Sequence, residues 1–219
     1  MRKLAPDSAL AFLNSALHER FDHRTRARPV DAIVFDMDGT LVDVDALAEK
    51  HLNPKPGAKR DFDAFHRESE FAPPHQHVVE AAQRAYLEGT AVLVVTARMT
   101  DYVGVSSRWL AKQPVWLDQI YMRRSQDFRP DYDVKREIVD QIRADGYNIM
   151  HAWDDNPAII ALWNELGIPN TVVPNPRWHP ETTAVQPDAL SPNHGLALRT
   201  VQRLDAERNV SEQSLSPEF

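Results

Sequence analysis

The sequence predicts a doubly wound α/β fold, a parallel sheet covered by helices on both faces, on three observations. Apolar runs rich in β-branched residues recur, at Ala32-Ile33-Val34-Phe35, Val92-Leu93-Val94-Val95 and Ile149-Met150-His151-Ala152-Trp153, and runs of this kind suit strands buried on both faces. Stretches of helical periodicity alternate with them, which implies a parallel sheet built through right-handed crossovers. Each run ends abruptly in polar residues, at Asp36, Thr96 and Asp154, where open α/β sheets bind their ligands.

Taken in order, residues 7–26 read as an amphipathic helix with Asp7 as N-cap and Leu10, Leu13, Leu17 and Phe21 on one stripe. A single apolar stripe is most simply explained by a helix packed across the domain, and Pro29 ends this segment, 1–29. The core then spans 30–174. After Leu41-Val42-Asp43 a polar stretch reaches Pro74, in which Phe62 and Phe65, three apart, suit a short helix. A helix follows from His75 to Glu88, stopped by Gly89. Another runs from Val103 to Lys112, and a strand covers Ile120-Tyr121-Met122. Lys135 opens a helix that runs to Asp145, closed by Gly146. The last pair is a helix from Pro157 to Leu166 and a strand Thr171-Val172-Val173. From 175 to 219 the chain is Pro-rich; 196–208 suits one helix and 211–219 a disordered tail.

The 219 residues, 42% of them hydrophobic, suffice for one well-buried domain. With no cysteine, disulfides and thiol chemistry are excluded. The basic N-terminus lacks an apolar run behind it and no run approaches a membrane span, so a cytoplasmic chain without membrane contact is expected. The net charge of −7 argues against a protein that coats nucleic acid. Between Arg98 and Arg136, however, eight basic residues face five acidic ones, a local balance of +3 beside the strand ends.

In Phe35-Asp36-Met37-Asp38-Gly39-Thr40 an extended chain would point Asp36 and Asp38 to the same side. Two carboxylates that close repel unless a cation lies between them or one stays protonated, an arrangement suited to Mg²⁺ and to acid/base work. The same string also suits a plain turn. Three downstream elements weigh against the turn: Thr96-Ala97-Arg98 at one strand end, Lys135 on a helix, and Asp154-Asp155-Asn156 at another strand end.

As an ordered set these four elements resemble the haloacid dehalogenase superfamily of phosphohydrolases. The resemblance implies that Asp36 is a nucleophile that forms an aspartyl-phosphate. Asp38 protonates the leaving alcohol and then activates water. Thr96 holds a phosphoryl oxygen, and Lys135 neutralises charge. It further implies a Mg²⁺ site of Asp36, Asp154 and the Met37 carbonyl in the Asp36–Asp38 loop, with Asp155 reaching the ion through water or through the other ligands. Asn156 reads as a helix cap. The segment 43–74 stands where the superfamily inserts a cap domain and is too short for a large lid.

A narrower set, with Val94-Val95-Thr96-Ala97-Arg98, Trp109-Leu110, Met122-Arg123, Asp131-x-Asp133-x-Lys135 and Leu162-Trp163-x-x-x-Gly167, is similar to the 3′-phosphatase domain of bacteriophage polynucleotide kinase. On that resemblance Arg98 and Arg123 grip substrate phosphates, and the substrate is a phosphorylated nucleic-acid end. No Gly-x-x-x-x-Gly-Lys loop is present, so a phosphatase acting alone or beside a separate kinase or ligase chain is implied. The competing readings are a phosphatase of small phosphomonoesters such as mononucleotides and a binding module without activity. His75 and His77 lack a third ligand nearby and read as surface residues. Trp109, Trp116, Trp153 and Trp163 read as core, and Trp178 as a pin that ties the Pro-rich stretch to the body.

Overall fold

A computed structural model describes residues 5–17, 28–53 and 59–178. Five strands, β1 (Val30–Phe35), β2 (Ala91–Met99), β3 (Gln119–Arg123), β4 (Tyr147–Asp154) and β5 (Asn170–Val172), form one sheet in the order β3-β2-β1-β4-β5. Every neighbouring pair is parallel. The α/β class is therefore as the sequence implies, and β1, which delivers Asp36, is the central strand.

The period of two along the strands divides the core. Val92, Val94, Ile120 and Met122 point into one layer with Phe35, Trp109 and Val78. Leu93, Val95 and Tyr121 point into the other with Val34, Ile138 and Trp163. On the first face lie α1 (Pro6–Leu17), α4 (Gln76–Leu87) and α5 (Val103–Lys112), with α2 (Asp45–His51) and α3 (Phe62–Glu68) between β1 and α4 in the chain; on the second lie α6 (Asp131–Ala144) and α7 (Pro157–Glu165). Burying one such aliphatic side chain stabilises the fold by roughly 1.5–3 kcal/mol.

Two helix starts differ from the sequence reading. Helix α1 begins at Pro6, so Asp7 lies in its first turn, and the Asp7 carboxylate accepts from the Thr100 hydroxyl at 2.6 Å rather than capping. Leu10 and Leu13 pack on the core as expected; the Leu17 side chain and Phe21 lie outside the described residues. Helix α6 starts at Asp131, because Pro130 sets the turn and Asp131 and Asp133 suit the positive first turn. Lys135 is thereby one turn inside the helix and buried.

Five apolar residues are more exposed than the sequence suggests, among them Met150 (45%) in β4, whose outer face is thus not buried, and Val172 (44%) in β5. Phe65 is buried but its partner Phe62 is 52% exposed; Leu87, at the last turn of α4, and Trp116, in the loop before β3, also face solvent. Trp116 packs on Tyr86 at 5.5 Å between ring centroids instead of entering the core. Asn156 caps α7 by accepting from the Ala158 amide. The expected helix 196–208 and tail 211–219 lie outside the described residues. Among the described residues no helix is long and apolar enough to cross a membrane.

Candidate active site

At the carboxyl end of β1 the chain leaves the sheet immediately after Phe35 and turns back on itself. The Gly39 amide donates to the Val42 carbonyl at 2.8 Å, and the Met37 carbonyl accepts from the amides of Val42 (2.8 Å) and Thr40 (3.4 Å). The turn thus occupies the carbonyl that was expected at the metal. Gly39 is required here on two counts. Its φ is +87°, and a Cβ there would lie 2.4 Å from Asp155 Oδ2 and 2.7 Å from Asn175 Nδ2.

Asp36, Asp154 and Asp155 converge from the tips of β1 and β4, neighbours in the sheet, with one carboxylate oxygen from each within 4.8 Å of the others. The Lys135 ammonium stands between two of them, 2.6 Å from Asp36 Oδ1 and 2.7 Å from Asp154 Oδ2. All four side chains are buried. Burial would discharge the lysine, but Asp154 and Asp36 outweigh it and hold Lys135 firmly protonated. Burial raises Asp36 well above the ordinary carboxylate range; Lys135 pulls it back, while Asp154 and Asp155 push it up further. Burial and the Asp154 charge likewise push Asp155 up to about 6, against the Trp178 hydrogen bond. If all three carboxylates ionise, three negative charges meet one positive charge, an excess of two. The oxygen-only donor set and that excess both fit a hard divalent cation.

Asp38 does not join this cluster. The bulge that offsets β2 against β3 between Thr96 and Met99 turns Arg98 out of the sheet and towards Asp38. Its guanidinium donates through Nε to Oδ2 at 2.7 Å and through Nη2 to Oδ1 at 2.5 Å. Each of the two motif aspartates therefore has its own cation, which answers the repulsion that their spacing creates. Burial raises the Asp38 carboxyl, but the Arg98 charge and hydrogen bonds prevail and hold it below its ordinary value. Thr96 is buried and its hydroxyl oxygen accepts from the Arg98 amide at 3.1 Å, so the hydroxyl proton remains available to a ligand.

Arg123, expected to grip phosphate, is spent on the backbone. It donates to the carbonyls of Ala97 (2.8 Å), Asp127 (3.0 Å) and Arg129 (2.5 Å) and pairs with Asp131. It satisfies a carbonyl freed by the bulge and braces the loop before α6. The basic excess counted in sequence is largely closed off as well: Arg108 and Lys112 meet Glu70, Arg129 meets Asp127 and Glu137, and Arg136 meets Glu165.

A cleft of about 550 Å³ is lined by Asp36 and Asp38 together with Phe62 and His66 of α3, Phe128 and Trp178. Sequence periodicity gave no sign of the parts played by two of its residues, Trp178 and His66, or by Asn175 behind them. Asn175 and the Trp178 indole donate to Asp155 Oδ2 at 2.6 and 2.9 Å, so Trp178 pins the start of the Pro-rich stretch, as far as it is described, on the acidic cluster. His66 packs on Tyr102, with ring centroids 4.5 Å apart, and burial depresses its imidazole to about 4. The spacing of Pro174 and Pro176 carries no signal for a contact made with residue 155 across the fold.

Comparison with known proteins agrees with this geometry. Residues 30–176 match the family described as the polynucleotide kinase PNKP phosphatase domain. Two solved structures of Pnkp1/Rnl/Hen1 complexes contain chains with a similar fold. One is 24% identical with a TM-score of 0.55, over 67% of this chain and 46% of that one. The other is 21% identical with a TM-score of 0.56, over 79% and 57%. This chain thus spans about half the length of those chains. The class C acid phosphatase of Bacillus anthracis, 16% identical, has a TM-score of 0.50 over 98% of this chain and 88% of its own. No curated protein matches.

Proposed function

The chain belongs to the family of polynucleotide kinase PNKP phosphatase domains, a phosphatase of the haloacid dehalogenase type, and on that premise we propose that it is a Mg²⁺-dependent phosphomonoesterase that removes 3′-phosphates from polynucleotide ends. The observation that carries this reading is the buried cluster of Asp36, Asp154 and Asp155 around Lys135 at the floor of a cleft that Asp38 and Thr96 also line.

In the proposed reaction a carboxylate oxygen of Asp36 attacks phosphorus as the bond to the ester oxygen breaks, which leaves an aspartyl-phosphate. Lys135 holds the Asp36 carboxylate in place and offsets the charge that gathers on it. Thr96 donates its hydroxyl proton to a phosphoryl oxygen. Asp38 delivers a proton to the departing sugar oxygen, then takes one from the water that cleaves the acyl phosphate. Asp36, Asp154 and Asp155 would hold magnesium, which supplies positive charge to the phosphoryl oxygens. Arg98 positions Asp38 through both carboxylate oxygens.

Among the described residues the cleft stays open to solvent, which suits a chain end that reaches the site while the remaining nucleotides stay outside. A small phosphomonoester, such as a mononucleotide, is the second reading, favoured by the side chains of Phe62 and His66 that line the cleft. The family name joins this domain to a kinase, and a separate kinase or ligase chain is the partner we propose. Phosphate release from a 3′-phosphorylated oligonucleotide, its 5′-phosphorylated counterpart and a 3′-mononucleotide, each with and without EDTA, tests the proposal. Fastest turnover of the 3′-oligonucleotide, abolished by EDTA, is expected. Equal or faster turnover of the mononucleotide would establish the second reading instead.

A further inference from the structure

Five cations line the cleft among the described residues, and four of them are committed: Arg98 to Asp38, Arg123 to carbonyls and Asp131, Arg129 to Asp127 and Glu137, and Lys135 to Asp36 and Asp154. Arg177 is the exception. Its Nη2 stays 3.8 Å from Asp155 Oδ2 and its Nε 3.9 Å from Asp45 Oδ1, both longer than a hydrogen bond. The Nε and the facing Asp45 Oδ1 are buried and without a hydrogen-bond partner. A quarter of the side chain remains exposed at the cleft.

The backbone around Arg177 is nonetheless fixed. Its amide donates to Asn175 Oδ1 at 2.9 Å, the Trp178 amide to the Asn175 carbonyl at 3.0 Å, and the Trp178 indole to Asp155. The guanidinium lies 5.6 Å from the centre of the Trp178 ring, a packing that limits its rotamers before any ligand arrives. A cation so presented, at the rim rather than on the floor where the attacking carboxylate lies, lacks only an anion of suitable geometry, and a planar guanidinium matches two phosphate oxygens.

We infer that Arg177, which lies just beyond the segment that matches the family, binds the phosphodiester next to the terminal phosphate and so selects a polynucleotide end over a mononucleotide. The inference rests on the phosphatase reading above and names the group that recognises its substrate.

The test uses the full chain with a short 3′-phosphorylated oligothymidylate and with thymidine 3′-monophosphate, which has no phosphodiester. In Arg177→Gln the ratio of KM for the oligonucleotide to KM for the mononucleotide is expected to rise about tenfold, the size of one charge-assisted contact. The slope of log KM against log salt for the oligonucleotide should become shallower by about 0.7, one released counterion on a single strand. Arg177→Lys keeps the charge and loses the fork, so it should raise the oligonucleotide KM at a wild-type salt slope. Arg143→Gln, the same charge change at the far end of α6, should alter neither. Parallel losses on both substrates would mean that Arg177 acts only through Asp155 and would overturn the inference, as would an unchanged ratio in both Arg177 variants. If the wild type itself shows no preference for the oligonucleotide, the polynucleotide reading fails first, independently of the variants.

Discussion

Arg98 closes on both oxygens of Asp38, at 2.7 and 2.5 Å, although the two residues are 60 positions apart in the chain. The group cast as proton donor is therefore a carboxylate in the resting site, while neighbouring Asp36 is pushed towards its protonated form by burial and by its acidic neighbours. A dianionic phosphate arriving beside Asp38 supplies the negative charge that would raise it for proton delivery.

Replacing Arg98 by Gln removes the cation that lowers Asp38. A general acid is active below its pKa, so the alkaline limb of kcat/KM should move to higher pH while the maximum falls roughly 100-fold. A limb that stays in place would show that another group donates the proton. Asp38→Asn leaves Arg98 buried without its counter-charge, and urea unfolding should show a loss of about 3 kcal/mol.

Lys135→Gln leaves three carboxylates without their ammonium, and phosphate release should drop by roughly 10³-fold. The metal-free wild type carries a related signature. Asp36 and Asp155 have raised values in the folded state, so their stabilising contribution is complete below about pH 4 and is lost as pH rises through about 6 for Asp155, on the order of 3 kcal/mol. Thermal melts in EDTA should thus show a penalty at about pH 8 relative to about pH 5.5 that is larger still in Lys135→Gln, and millimolar Mg²⁺ should remove most of it. Melts indifferent to Mg²⁺ at either pH would contradict the cluster as a cation site.

Gly39→Ala combines a strained backbone, at φ +87°, with a Cβ driven to 2.4 Å from Asp155 Oδ2. A stability loss of roughly 2–3 kcal/mol is expected, together with a marked fall in activity because Asp155 must move. Wild-type melting with wild-type turnover would show that the turn relaxes freely.

His66 is held neutral, with its imidazole depressed to about 4 mainly by burial, which Asp38 and Asp63 oppose and Arg98 reinforces. For a base with a lowered value, stability is complete above the unfolded value of about 6.5 and falls as pH drops towards 4, by up to roughly 3 kcal/mol. His66→Gln cannot take up that proton, so its stability relative to wild type should improve steadily between about pH 6.5 and pH 4. A constant difference across that range would show that His66 does not titrate abnormally.

Much of this fold and site was written in local pattern. The unbroken apolar run at Val92–Val95, the helix spans at 103–112 and from Pro157, and the acids placed where apolar runs stop were enough to imply a parallel sheet and to bring Asp36, Thr96, Asp154 and Asp155 to one edge; the strand order came only with the structure. In a parallel doubly wound sheet the strand ends share a side by topology alone. Pairing was decided elsewhere. That Arg98 holds Asp38, that Arg123 reaches the Ala97 carbonyl, that Asn175 and Trp178 fix Asp155, and that Trp116 stays outside the core depend on bulges and turns that re-aim side chains, the hydrogen bonds among them spanning 20 to 60 residues of sequence. Periodicity reports which face a residue takes, a short-range property of the backbone. Which charge meets which is settled by desolvation and distance in three dimensions, and these exist only once the elements have packed.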